Sequence, residues 1–162
     1  ESGAVHAADS YSRILKKGAV MLSTTPGHAN ALPALANAIH SEAPVINIAG
    51  SAESPNMGRG AMQEFDQINA AKPITKGAWE VPSPVRIPEY VALAFRTALS
   101  GRQGPVHLTI PHDFQMAEVE DAEATRYAPG EYVTPLQVLG DTAQVEKAVD
   151  LLNSAQRPMI FV

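Results

Sequence analysis

The chain has 162 residues and a mass of 17.2 kDa, enough for one full domain and part of another. Its 12 basic and 17 acidic residues give a net charge of −5, which argues against a nucleic-acid-binding surface because that needs a basic face. Hydrophobic residues make up 45% of the chain and cysteine is absent, so we expect a buried core without disulfides, a cysteine nucleophile or cysteine-bound metals.

Helix and strand signals alternate along the first part of the chain. Apolar residues at helical spacing predict a helix over 4–15, and the all-apolar run 19–22 is typical of a parallel strand that is covered on both faces. The segment 23–27 has turn chemistry, and a second helix is predicted over 28–40. Residues 44–49 have the pattern of a second strand, so the order strand–helix–strand is established early.

The alternation continues after a polar loop over 51–61. The sequence predicts a short helix over 63–71 and a short strand over 79–81. A proline in the first turn and a closing glycine bound a third long helix over 88–101, and residues 105–111 form a strong strand signal. This pattern predicts an α/β fold, with a mainly parallel sheet and helices on both of its faces.

Composition suggests two domains. Residues 1–116 form the first, and 117–139 are acidic and contain prolines without a clear period, which indicates a linker. Asp141 starts a predicted helix and 158–162 resemble a strand, so 140–162 read as the beginning of a second, incomplete α/β domain. Because the chain starts without Met and stops on a bare strand, we interpret it as a piece of a longer protein whose first domain lacks its start.

Two segments attract attention as candidate sites. The junction over 23–30 joins a strand to a helix N-terminus, which can bind an anion or a polar heterocycle, but it has neither a Walker A lysine nor the spaced glycines of a Rossmann fingerprint. The segment 58–67 leads from a glycine pair into hydrogen-bonding side chains. On local features alone, an ordinary turn is the favoured explanation of the first segment and a solvated loop that of the second. His107 alternates with apolar residues and is interpreted as a structural histidine.

Four blocks of sequence, taken in their order along the chain, indicate a known family. Residues 1–13 read E-S-G-A-V-H-A-A-D-S-Y-S-R, and 23–38 read S-T-T-P-G-H-A-N-A-L-P-A-L-A-N-A. Residues 62–76 read M-Q-E-F-D-Q-I-N-A-A-K-P-I-T-K, and 101–113 read G-R-Q-G-P-V-H-L-T-I-P-H-D. Together the blocks resemble the pyrimidine-binding domain of thiamine-diphosphate-dependent enzymes, in the acetolactate synthase, oxalyl-CoA decarboxylase and 2-hydroxyacyl-CoA lyase branch.

The resemblance implies a set of site residues. Glu1 stands where the family has its cofactor-activating glutamate, whose carboxyl hydrogen-bonds the aminopyrimidine ring from a fairly dry pocket. Pro26, Gly27 and Asn30 match the turn that packs along the pyrimidine, and Gln63 matches a glutamine that reaches toward the reacting centre. The resemblance therefore implies that Glu1 and Gln63 are catalytic and that Glu1, Pro26, Gly27 and Asn30 bind the cofactor, with no metal ligand in these residues.

The implied activity is that of a transferase or lyase which makes or breaks carbon–carbon bonds next to a carbonyl, on a 2-oxo acid or 2-hydroxyacyl substrate, with an acetolactate-synthase-like reaction favoured. The implied small-molecule partner is a 2-oxo acid or an acyl-CoA. The cofactors implied are thiamine diphosphate and Mg²⁺, the metal being bound by a C-terminal domain outside this chain, and FAD is compatible with the resemblance. The family forms homodimers or homotetramers with the cofactor at the subunit interface, so this chain alone is expected to be inactive. Neither nucleic acid nor a membrane is an expected partner, and the cytoplasm is the default compartment.

Departures from the family pattern keep the substrate open. Ser10 and Thr25 replace glycines, Met62 replaces an aromatic residue, and Gln63 stands where the oxalyl-CoA branch has an acidic residue. A non-catalytic paralogue of the domain that acts as a scaffold is the alternative function. A Rossmann dehydrogenase is disfavoured because the glycine fingerprint is missing.

Overall fold

A computed structural model describes residues 1–132 and 139–161. In this part of the chain one sheet of parallel strands has the order β1-β2-β4-β3. The strands are β1 Ala19–Ser23, β2 Val45–Ser51, β3 Ala78–Glu80 and β4 Val106–Pro111. The helices are α1 Ser2–Leu15, α2 Thr25–His40, α3 Gln67–Ala71, α4 Ile87–Leu99, α5 His112–Gln115, α6 Pro129–Tyr132 and α7 Thr142–Ser154.

Helices cover the sheet on both faces, as the sequence predicts. On one face Val45 belongs to an apolar cluster with Leu35 of α2 and Val5 of α1. On the other face Ile46 packs with Ala94 of α4 and with further residues of α4 and β4. Successive side chains of a strand point to opposite faces, so the central strand β2 contributes to both clusters. The prediction of an α/β fold with a mainly parallel sheet is confirmed.

The prediction that the first strand is covered on both faces is wrong. Ala19 and Met21 of β1 are buried, but Val20 and Leu22 are 45% and 73% exposed. β1 is an edge strand of the described sheet, and α4 packs over β2 and β4 instead of over β1. An all-apolar run therefore does not distinguish a covered strand from one whose outer face is open.

Two helices begin at other residues than the sequence predicts. The first turn of α2 starts at Thr25, within the segment predicted as a turn, and Pro26 suits this position because the missing N–H has no helical partner there. The helix predicted over 63–71 is shorter, since α3 starts after Asp66. The Asp66 carboxylate accepts a hydrogen bond from the backbone N–H of Asn69 at 3.0 Å and so caps the helix.

The last segment is only partly as predicted. α7 starts at the predicted position, and the Asp141 carboxylate caps it by accepting from the backbone N–H of Gln144 at 3.0 Å. Residues 158–161 are not in a strand, because none of the described residues pairs with them, and residue 162 lies outside the described residues. All side chains over 139–161 are exposed. The proposed domain boundaries remain predictions. None of the described helices is long and apolar enough to cross a membrane.

A buried carboxylate joins α1 to α2. Asp9 is 2% exposed, and its carboxylate accepts hydrogen bonds from Arg13 at 2.5 Å, from Asn37 at 3.3 Å and from Ser41 at 3.1 Å. Asn37 lies on α2 and Ser41 is its C-cap residue, while Arg13 is one turn along α1. Since Glu1 directly precedes α1, the contacts of Asp9 also help to fix the position of Glu1.

Replacing Asp9 should therefore destabilise the fold. In Asp9→Ala, Asn37 and Ser41 lose their buried acceptor, and we expect the free energy of unfolding to fall by about 1–3 kcal/mol, measured by urea denaturation. The exposed pair between Arg126 and Asp121, at 2.6 Å, supplies a control. Asp121→Ala should change stability by less than about 1 kcal/mol, and equal effects of the two variants would contradict this account of Asp9.

Candidate functional site

Parallel strands all end at the same edge of the sheet, and two grooves lie along this edge. The first, which we call the β1–β2 groove, has a volume of about 390 Å³ and includes Ser23, Ser51, Gln63 and His112. The second, the β3–β4 groove, has a volume of about 480 Å³ and includes Glu64, Glu80 and Thr109. Ligands of open α/β sheets bind outside the carboxyl ends of the strands, so this edge is the natural place for a site.

Glu1, Gly27 and Asn30 come together next to the β1–β2 groove. A Cβ atom placed on Gly27 would lie 2.8 Å from Cγ of Glu1 and 2.8 Å from Cβ of Ser23, closer than real atoms approach. The side-chain amide of Asn30 donates a hydrogen bond to Oε2 of Glu1 at 3.5 Å, and the hydroxyl of Ser2 donates to the backbone carbonyl of Asn30. The missing side chain of Gly27 is what allows the Glu1 carboxylate to lie against the first turn of α2.

Ser23 is a member of this cluster that sequence reasoning missed. It is the last residue of β1, and its side chain contacts the space above Gly27 and also lines the β1–β2 groove. Its hydroxyl is buried and has no hydrogen-bond partner among the described residues. A buried hydroxyl without a partner is available to a ligand. The sequence signal was weak, because a serine at the end of a strand is ordinary turn chemistry.

The other two candidates are placed differently. Pro26 is exposed in the first turn of α2, and it has no polar group to offer. Gln63 is exposed and, like Ser23, lines the β1–β2 groove. Its backbone has φ of 64°, in the left-handed region that non-glycine residues seldom adopt. Gln63 therefore shares a groove with Ser23, which in turn lies beside Gly27 and its contact with Glu1.

The loop that carries Gln63 is shaped by Glu64. Its carboxylate accepts hydrogen bonds from the backbone N–H groups of Gly58 at 2.6 Å and Ala61 at 2.9 Å. These bonds lower the pKa of the Glu64 carboxyl. Gly58 and Gly60 have φ of 78° and 70°, which glycine adopts without strain. The sequence indicated a flexible glycine pair, and in the structure the turn is held by a carboxylate instead.

Glu1 differs from expectation in its surroundings. A dry pocket is implied for an activating glutamate, but Glu1 is exposed in this chain. Gly27 and Asn30 of α2 contact it, and its side chain is otherwise open to solvent. The geometry thus provides one wall of a pocket.

A chain of buried hydrogen bonds lies below the site and was not predicted. The side-chain amide nitrogen of Asn47, on β2, lies 2.7 Å from Nδ1 of His28 and 3.0 Å from Nδ1 of His107. Nε2 of His107 lies 2.8 Å from the hydroxyl of Thr109, which donates to Oε1 of Gln67 at 3.4 Å. We call this set, together with Thr25, the buried polar chain; its members are Thr25, His28, Asn47, Gln67, His107 and Thr109, all less than 5% exposed.

These contacts determine the protonation of both histidines. Asn47 donates its two amide protons to two Nδ1 atoms, so each Nδ1 must be unprotonated and each ring neutral. The rings stack with their centroids 3.9 Å apart. Burial, together with the adjacent His28, lowers the pKa of His107 to about 3. Burial also lowers the pKa of His28, against an opposing effect of the Gln67 backbone. His107 is thus a structural residue, as the sequence suggested.

Three carboxylates line the β3–β4 groove, and two of them already have partners. Glu64 accepts from its own loop, as described above, and Asp66 caps α3. Burial raises the pKa of the Glu80 carboxyl, and the charge of Asp113 adds to this effect. Within the described residues, no group of three or more histidine, aspartate or glutamate residues is arranged to bind a metal ion. This groove therefore offers a shape, but no set of free ligands.

Comparison with known sequences gives a consistent result. Residues 1–70 match the family described as "Thiamine pyrophosphate enzyme, N-terminal TPP binding domain". The chain is 34% identical over 170 residues to the probable acetolactate synthase large subunit of Methanocaldococcus jannaschii. It is 37% identical over 163 residues to the acetolactate synthase isozyme 2 large subunit of Escherichia coli. These alignments cover 99% and 100% of this chain, which spans 28% and 29% of the two relatives.

The buried polar chain makes the stability of the fold sensitive to acid. The pKa of His107 is about 3 in the folded state and its ordinary value is 6.5, so the unfolded chain takes up the proton first as the pH falls. We expect the free energy of unfolding to decrease from pH 6.5 toward pH 3, with up to ~1.4 kcal/mol per pH unit from this residue. Urea denaturation at a series of pH values measures the slope.

The slope should be shallower in His107→Gln, since a glutamine takes up no proton in this range. The exposed His40 supplies the matched variant, and His40→Gln should keep the slope of the unsubstituted chain. Carboxylates contribute to acid sensitivity in all three proteins and cancel in the comparison. A slope that is the same in His107→Gln as in the unsubstituted chain would refute the account.

Proposed function

Residues 1–70 belong to the N-terminal TPP-binding domain of thiamine pyrophosphate enzymes, and on this premise we propose that the chain is the pyrimidine-binding part of an enzyme that makes or breaks carbon–carbon bonds next to a carbonyl. The observation that carries the proposal is the Glu1 carboxylate packed over Gly27, with the Asn30 amide bonded to it. A 2-oxo acid is the favoured substrate, because relatives named acetolactate synthase align with nearly the whole chain.

The residues of the cluster fit an aminopyrimidine ring. Gly27 leaves room for the Glu1 carboxyl to lie against the first turn of α2, beside the place proposed for the ring. The protonated carboxyl of Glu1 can donate to a ring nitrogen, and the free hydroxyl of Ser23 is available to a second polar atom. When bound, thiamine diphosphate supplies a carbon nucleophile and stabilises the negative charge that forms when the bond to the carbonyl carbon breaks. The protein's part is to bind, orient and exchange a proton.

Glu1 carries the proton exchange in this proposal. Its Oε1 donates a proton to the ring nitrogen and takes it back, and a carboxyl is suited to this role when its proton affinity approaches that of the ring. Asn30 donates to Oε2 and so directs the other oxygen of Glu1 toward the ligand. A covering surface that removes water from Glu1 would raise its proton affinity. We assign this cover to a second subunit.

The chain is one half of a site in this proposal. Thiamine diphosphate also has a diphosphate, which needs Mg²⁺ and hydrogen-bond donors. We assign these to the C-terminal domain of a partner subunit in a homodimer or homotetramer, so that this chain alone binds the cofactor weakly and is inactive. The 2-oxo acid enters over the β1–β2 groove, with Gln63 at its border, and FAD, if present, binds to a central domain.

Removing the acidity of Glu1 tests the proposal. In the protein at its full natural length, Glu1→Gln keeps the shape of the side chain but cannot exchange a proton with the ring. We expect turnover of a 2-oxo acid such as pyruvate to fall by about 100-fold or more, at saturating thiamine diphosphate and Mg²⁺. Glu42→Gln, which alters an exposed pair with Arg102, should turn over normally. Undiminished turnover of Glu1→Gln would remove the catalytic assignment.

Filling the space above Gly27 tests the geometry. In Gly27→Ala the new Cβ would lie 2.8 Å from both Glu1 and Ser23, so the carboxylate has to move. We expect the dissociation constant of thiamine diphosphate, measured by calorimetry, to rise by about tenfold or more. At Gly3, in α1, a Cβ meets nothing within 4 Å among the described residues, and Gly3→Ala should bind normally. Equal affinities of the two variants would contradict the placement of the cofactor.

A further inference from the structure

Both ends of the Gln67 side-chain amide are engaged in hydrogen bonds. Its amide nitrogen donates to the hydroxyl of Thr25 at 2.9 Å and to the backbone carbonyl of Gly50 at 2.9 Å. Its amide oxygen accepts from the hydroxyl of Thr109 at 3.4 Å. Gln67 is 2% exposed, so its side chain is buried and both of its N–H donors are in use. It does not offer a group to a ligand, and any role in the site must act through the residues that it contacts.

Those contacts join three elements at the edge of the sheet where the site lies. Thr25 is the first residue of α2, Gly50 is near the end of β2, and Thr109 is in β4. The hydroxyl of Thr25 also donates to the Gly50 carbonyl, at 3.1 Å. Gln67 thus fixes the first turn of α2 against the ends of two strands.

The buried polar chain reaches α2 a second time. It runs from Thr25 through Gln67, Thr109, His107 and Asn47 back to α2 at His28. Thr25 and His28 are three residues apart, so they lie on the same face of the helix. A helix that is held at two points of one face cannot rotate about its axis without breaking a buried hydrogen bond.

Rotation of this turn governs the geometry of the cluster around Glu1. Gly27 follows Thr25 by two residues, so it lies about 200° further around the helix, on the face that meets Glu1. A rotation of only about 10° moves a Cα atom on a cylinder of ~2.3 Å radius by about 0.4 Å. The approach of Glu1 to Gly27 already leaves no room for a Cβ atom. A small rotation therefore forces the Glu1 carboxylate to move relative to the place assigned to the ring.

We propose that Gln67 is a positioning residue of this site, which sets the rotation of the first turn of α2 and thereby the distance between the Glu1 carboxylate and the bound ring. The inference rests on the proposed function. It assigns to Gln67 an effect on cofactor binding and on turnover that is separate from its effect on stability.

The test uses the protein at its full natural length, with thiamine diphosphate, Mg²⁺ and pyruvate. Gln67→Glu keeps the shape and removes both donors, Gln67→Met keeps the length without polar atoms, and Thr25→Val removes the hydroxyl. We expect each to raise the dissociation constant of thiamine diphosphate by about tenfold or more and to lower kcat at saturating cofactor by a similar factor, with KM for pyruvate within about twofold. Thr25→Ser retains the hydroxyl and should recover most of the loss. Gln144→Glu makes the same amide-to-acid change at an exposed position and serves as the control.

The outcomes separate the two hypotheses. If the unsubstituted protein does not bind thiamine diphosphate, the proposed function is overturned and this inference with it. If the unsubstituted protein binds the cofactor but folded Gln67→Glu or Gln67→Met binds and turns over within about twofold of it, this inference alone is overturned. A lower melting temperature with unchanged dissociation constant and kcat would also overturn it, since Gln67 would then have a structural role only. A double variant, Gln67→Glu with Thr25→Val, should bind thiamine diphosphate no more weakly than either single variant, because both substitutions break the same hydrogen bond.

Discussion

Two hydrogen bonds in the dry centre of the sheet govern much of this structure, and a single side chain, Asn47, donates both of them. They require two neutral imidazoles, and they connect the middle of β2 to α2 on one side and to β4 on the other. The arrangement has a cost, since Nε2 of His28 and Oδ1 of Asn47 are buried without partners among the described residues. Apolar residues of similar size would avoid this cost. The contacts therefore contribute an exact relative placement of helix and strands more than they contribute stability.

The two faces of the sheet differ in the kind of contact that they make. The face toward α4 is apolar, with Ile46, Val106 and Ala98 in one cluster, and it holds the domain together by burial. The face toward α2 mixes apolar residues such as Val45 with members of the buried polar chain, Asn47, His107 and Thr109. The Asp9 contact to Asn37 and Ser41 fixes α1 against the far end of α2, so α2 is held near both of its ends. The cluster around Glu1 thus lies between two helices that cannot easily slide past each other.

The sequence predicts the central strands β2 and β4 well, because both are rich in valine and isoleucine, even though Asn47 interrupts the first and His107 and Thr109 the second. It fails for β1, whose apolar run is uninterrupted but whose neighbours leave one face open. Glu1 was identified through family resemblance alone, since a glutamate at the start of a helix is usually explained by the helix dipole. The buried polar chain escaped prediction because its members are far apart in sequence, Asn47 and His107 being 60 positions from each other. Only pairing in the sheet makes them neighbours.

The left-handed backbone at Gln63 restricts which types of residue can occupy this border of the β1–β2 groove. With φ of 64°, the position disfavours valine, isoleucine and threonine, whose branched Cβ atoms crowd the neighbouring carbonyl. Glycine, asparagine and unbranched side chains are tolerated better. Few types of side chain therefore fit well at position 63. Valine and isoleucine, which would make this border of the groove apolar, are among those disfavoured. A change in the shape of this border would have to arise from its neighbours, or from remodelling of the whole loop.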